Sequence, residues 1–197
     1  MKFTATALVL ISSTLSLAAP TKTPLHLTTR DQPPFANFTV PGVVKVHNVV
    51  NNANTYSSQT STIRNGSIET STLYEIYLPS TSAGKTCQLV IHTAAGDTIF
   101  GAQAVDIFSS GITDLNTANS GNLRGQQLAR MRWNAATQLY DFDTVDVVPK
   151  VQNFPCPSGG SVHYEAVAVG DLDVNVINQD FFVHGTTVPH GVSIGWF

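Results

Sequence analysis

Cysteine is scarce in this chain. Cys87 and Cys156 are the two present in 197 residues, and once they pair none remains to help ligate zinc. Basic residues are scarce in the last third. From Asp141 onward seven acids (Asp141, Asp143, Asp146, Glu165, Asp171, Asp173 and Asp180) stand against Lys150 alone, in a chain of formal charge −3. Nucleic acid and anionic membranes attract the opposite sign, so the composition speaks against both as partners. The acids read more simply as a solvated sheet face. Beyond the N-terminus no apolar run reaches membrane-spanning length. The closing "VPHGVSIGWF" is too short for the tail of a lipid-anchor signal. No G-x-S-x-G elbow marks a serine nucleophile, and "CPSGGS" does not match one.

One phosphate motif is half present. "PSTSAGKTCQLV" holds Gly84-Lys85-Thr86, the end of a P-loop, but Pro79 occupies the position of its first glycine. Proline has no amide hydrogen to offer a phosphate, and the motif needs a following helix whose N-terminus faces the anion. Cys87, Leu89 and Ile91 instead alternate with Gln88, Val90 and His92, so the segment is predicted to be a turn entering a strand.

What is present at the start is a positive residue, Lys2, an apolar stretch and the small residues "SLAAP". That order describes a secretory signal peptide over 1–18, cleaved after Ala18, with Ser16 and Ala18 at the recognition positions. The expectation is a soluble, secreted protein, extracellular or in the cell wall. In an oxidising compartment the two cysteines most simply form one disulfide, Cys87–Cys156. Export also makes the sequons at Asn37 ("NFT") and Asn65 ("NGS") usable for N-glycosylation. Residues 19–38 are Thr- and Pro-rich and read as an extended lead-in, leaving 39–197 as a single domain.

Short alternating segments fill that domain: "VVKVHNVV", "STLYEIYLP", "AVDIFS", "SVHYEAVAV" and "DLDVNVI", punctuated by Gly, Pro, Asn and Ser. In the second, Tyr74, Ile76 and Leu78 face one way, and Leu73, Glu75 and Tyr77 the other. In the fourth, Val162, Tyr164, Ala166 and Ala168 oppose His163 and Glu165. "VNNANTYSSQTST" reads as a polar loop entering a Ser/Thr-rich strand. The pattern predicts an all-β fold, an antiparallel β-sandwich. "RMRWNAATQLYDFD" is predicted to be a hairpin turning at 134–137. Either Arg130 faces Asp141, with Met131 opposite Tyr140, or Arg130 and Arg132 face Asp143 and Asp141. Both registers put the charges on one face, where cross-strand pairs would help set register.

Several constellations resemble parts of known sites. Asp171, Asp173 and Asn175 imitate the start of an EF-hand loop, but Val176 replaces its glycine and Phe182 its closing glutamate. His184 and His190 are too few for zinc, and a copper-oxygenase site would need a histidine at the mature N-terminus, whereas the first is His26. Glu165, Asp171, Asp173 and Asp180 could supply a glycosidase pair, which needs two acids across a cleft, one with a raised pKa. Trp133, Tyr140 and Trp196 could stack on sugars, although large aromatics more often lie in a core. No catalytic, cofactor or metal residue is assigned.

"AGKTC", together with "FPCPSGGSVHYEAV" and "NQDFF…VPHGVSIGWF", resembles a fungal family, the ubiquitin-3-binding-protein C-terminal domain family, over 73–197. The resemblance implies an all-β domain bridged by Cys87 and Cys156, in exported proteins without established catalysis. The cytosolic enzyme behind the family's name is not carried over as a partner, because an exported chain would not meet it. The expected role is a non-enzymatic extracellular binding module for cell-wall polysaccharide, host material or another extracellular protein. The alternative is a secreted carbohydrate-active hydrolase using the C-terminal carboxylates.

Overall fold

Alternation of apolar and polar residues becomes fourteen strands among the described residues of a computed structural model of the chain. The structure describes residues 35, 37–57, 60–93, 96–170 and 190–197, and the strand pairing alone of 174–178. The strands are β1 (Asn37–Thr39), β2 (Pro41–Asn48), β3 (Ala53–Tyr56), β4 (Thr60–Arg64), β5 (Thr70–Leu78), β6 (Thr86–His92) and β7 (Thr98–Phe100). They continue with β8 (Ala104–Ser110), β9 (Arg124–Asn134), β10 (Leu139–Asp143), β11 (Phe154–Pro155), β12 (Gly160–Ala168), β13 (Val174–Asn178) and β14 (Gly191–Trp196). The helical element among the described residues is one 3₁₀ turn, Ser80–Ser82. The GKT stretch is the turn into β6 that its alternation predicts, with Gly84 at φ 74°.

The all-β, antiparallel, singly bridged architecture expected from the sequence is present, and its strands form one curled sheet. Neighbours run β1-β14-β6-β10-β9-β8-β12-β5-β4-β13-β7, with β2 and β3 added beside β5. The ladder returns on itself through its first strands. β1 pairs with β14, and β2, separated from β1 by Val40 alone, pairs with β5. The Thr39 hydroxyl also donates to Tyr77 O at 2.9 Å. Curling of this kind follows from strand twist and brings the inner faces of distant strands together. Ile76 and Leu78 of β5, Leu89 and Ile91 of β6, Ile107 of β8, Met131 of β9 and Ile194 of β14 share one core. Full burial of each such side chain contributes about 1.5–3 kcal/mol.

Cys87 of β6 is bonded to Cys156, with their α-carbons 5.1 Å apart, in the range a disulfide spans. β11 pairs beside Cys87, so the bridge anchors the segment after β10 against β6. Two boundaries differ from expectation. The strand structure starts at Asn37, within the predicted lead-in, and Phe35 stacks on the Phe197 ring at 5.4 Å. The predicted polar loop after β2 contains β3, because Lys45–Asn48 supply an open edge for Ala53–Tyr56 to pair with.

The hairpin forms in the second of the two predicted registers, Asp143↔Arg130 and Asp141↔Arg132, and Met131 lies opposite Phe142. Asn134 extends β9, the turn occupies 135–138, and Gln138 adopts φ 57°. The charges share a face but pair differently from the expectation. Arg132 reaches diagonally to Asp143 at 2.8 Å, and Arg130 turns to Asp106 on β8 at 2.8 Å and to Asp146 at 2.9 Å. Asp141 accepts from the Asn134 amide at 2.7 Å.

Candidate functional site

Polar chemistry gathers in two places. The first lies on the outer face of β2, β5 and β12. Their register sets His47 opposite Ser71, Lys45 and Glu165 opposite Leu73, and His163 opposite Glu75. Alternation places these side chains away from the core, as expected. It does not reveal that the strap 111–123 then covers them, packing Ile112 and Leu115 on Val43 and Leu73.

Most polar groups underneath the strap find a partner, and His163 Nε2 is a buried atom there without a hydrogen bond. Lys45 donates to Asn116 O and Ala118 O, both at 2.9 Å, and Glu75 accepts the Leu115 N–H at 2.8 Å. The Asn54 amide nitrogen is committed to Ala118 O and Gly121 O, so its oxygen accepts and His47 carries its proton on Nδ1, at 2.7 Å. His163 Nε2 lies 3.4 Å from Glu75.

Glu165 is the centre of this patch and corrects the reading of it as a surface acid, since its side chain is 0% exposed. Arg124 forks onto it through Nε at 2.8 Å and Nη2 at 2.9 Å, Asn122 donates at 3.0 Å, and the Ser71 hydroxyl donates to the same carboxylate. Burial alone would push its carboxyl up, but Arg124, Ser71 and Asn122 together hold it below the usual range. A carboxylate so engaged is a clamp for the strap, not a proton donor to a substrate. Its sequence signal was slight: a glutamate on a strand, with its partner arginine 41 positions away.

The second place is open. β10 pairs with β6 at one position, Leu139↔His92, before the two strands diverge. A groove of about 630 Å³ lies along the outer side of β10, lined by Arg132, Phe142 and Val145 with three carboxylates, Asp141, Asp143 and Asp146. A smaller cavity of about 260 Å³ continues from Asp141 and Phe142 toward Gln88 and Gln152. Asp143 is held below the usual carboxylate range by Arg132 and by the Val145 N–H it accepts. Nearby, Val151 gives its carbonyl to the Leu89 N–H at 2.9 Å.

Other candidates fall elsewhere. Tyr140 and Trp196 are core residues, and Trp133 packs against the core while donating to Thr93 Oγ1 at 3.2 Å, so the aromatics do not form a sugar platform. Asp171, Asp173, Asp180, Phe182 and His184 lie outside the described residues, as do the side chains of Asn175 and Val176 and the predicted signal peptide. His190 sits against His92, rings 5.0 Å apart. Among the described residues no group of three or more His, Cys, Asp or Glu is placed to hold a metal ion. Asn37 is exposed at the start of β1. The Asn65 side chain donates to Gly170 O and accepts the Gly66 N–H, so a glycan there would share its amide nitrogen with that contact.

No family model and no curated protein matches the chain.

Proposed function

We propose that this chain is an exported, non-enzymatic binding module whose groove along β10 engages an extracellular partner, cell-wall polysaccharide or another protein. The observation that carries the reading is the state of the groove's carboxylates. Asp143 is committed to Arg132, Asp146 to Arg130 and Asp141 to Asn134, in an open cleft with apolar Phe142 and Val145 beside them. Fixed charges and exposed apolar surface suit recognition, and general-acid catalysis needs a carboxyl whose pKa is raised, the reverse of Asp143. Resemblance to exported fungal proteins without established catalysis points the same way.

The hydrolase reading keeps one supporting observation, three carboxylates lining a single cleft. One experiment separates the two. Protein collected from culture medium is tested by pull-down on insoluble glucan, chitin and mannan and on extracellular protein extract, beside a polysaccharide-hydrolysis screen. Retention without product release supports the module. Product release that disappears in Asp141→Asn establishes the hydrolase.

A further inference from the structure

Beyond Leu139↔His92 the sheet forks. That antiparallel register, continued, would set Val90 opposite Asp141 and Gln88 opposite Asp143. β6 turns instead to the segment that leads into β11: Leu89 N–H donates to Val151 O at 2.9 Å, and Cys87 stands opposite Phe154. The bond from Cys87 to Cys156 pins that arrangement. The cavity of about 260 Å³ occupies the fork, with β6 along one wall, β10 along the other and Gln152 closing it. Burial of Leu89, Ile91 and Tyr140 in the core turns Gln88 and Asp141 to the outer side of the sheet. Gln88 and Gln152 are half-buried, and among the described residues neither side chain makes a hydrogen bond. Asp141 accepts from Asn134 through Oδ2, which leaves Oδ1 as an open acceptor.

We infer that this cavity holds the terminal ring of a neutral glycan, whose next residues run over Asp141 and Phe142 into the groove. This rests on the binding-module reading and specifies the partner. Asp141 and Phe142 line both spaces, so one ligand can occupy them together. A glutamine amide both donates and accepts, and a carboxylate only accepts. Adjacent hydroxyls on a sugar ring match that set, donating to Asp141 and the glutamine oxygens while accepting from the glutamine nitrogens. A few polar groups that fix orientation, beside an apolar wall of Leu89, Val90 and Phe142, are what a small-molecule site requires. The end closed by Gln152 suits a chain terminus, whereas a peptide running through would need two open ends. Charge sets what is refused. Among the described residues no cation lines the cavity, and the groove lining, three acids with Arg132, has a local balance of 1 − 3 = −2. A glycan bearing carboxylates or phosphates therefore meets like charge.

The test uses the intact protein from culture medium, titrated calorimetrically with hexasaccharides of glucose, mannose and N-acetylglucosamine, a galacturonic acid hexamer and an alternating Lys-Thr decapeptide. Expected is saturable binding of at least one neutral hexamer, with at least tenfold weaker binding of the galacturonate and the peptide. Gln152→Leu keeps the bulk and removes the amide, and should lose at least fivefold in affinity. Gln88→Leu, on a different element, should lose as much, so the outcome does not depend on one variant folding. Failure of every neutral hexamer, affinity unchanged in both variants, or binding of the galacturonate or the peptide as tight as that of the neutral hexamers overturns the inference. If the hexamers fail while the pull-downs retain the protein on any matrix, this inference falls and the module reading stands. If nothing is retained in either experiment, both fall.

Discussion

Replacing Arg124 by alanine should destabilise the protein far more than a surface substitution, and the structure sets the size. Glu165 is fully buried, and Arg124 supplies two of the four hydrogen bonds that hold its charge. Removing one partner of a buried ion pair costs about 3–5 kcal/mol, because the other charge is left without compensation. The Arg124 side chain is 32% exposed, so water already screens one side of the pair, and the lower end applies, roughly 3 kcal/mol. Loss of its stacking on Phe108, 5.1 Å from guanidinium carbon to ring centre, adds to this. Urea unfolding followed by tryptophan fluorescence should show a lower midpoint at unchanged slope. Arg124→Met combined with Glu165→Gln should lose less than the two single losses summed, because no buried charge is left without a partner. A loss below about 0.5 kcal/mol for Arg124→Ala, within the surface range, would show that the pair does not hold the strap.

Acid should act through the same group. Glu165 and Asp143 have depressed folded pKa values, so the stability they contribute is present above the ordinary carboxylate range and is lost as pH falls through the folded values; Arg124→Ala should flatten that acid slope in a pH series of urea midpoints. Gly195→Ala should cost about 1–3 kcal/mol, because a Cβ there would clash with the Phe35 ring, and the loss should largely vanish in a Phe35→Ala background. The double change Cys87→Ser, Cys156→Ser should cost up to about 4 kcal/mol by releasing a loop of 69-residue separation. In the unaltered chain alkylation should add mass only after reduction.

Much of the fold was legible because a strand's side chains alternate strictly. Tyr74, Ile76 and Leu78 had to share a face whatever the neighbours were, and two cysteines in an oxidising setting had one way to pair. The same rule left the hairpin's register open, since a shift of two residues keeps every side chain on its face. The turn over 135–138, with Gln138 at positive φ, decides it. Nor does alternation tell a solvated outer face from a covered one. The strap 111–123 has no period of its own, and what it covers depends on Asn116, Ala118 and Arg124 meeting Lys45 and Glu165, far away in the chain. The groove is a property of no single segment. It exists where Arg132 of β9, the β10 residues Asp141–Asp143 and the following Thr144–Asp146 come together, and tertiary structure alone determines it.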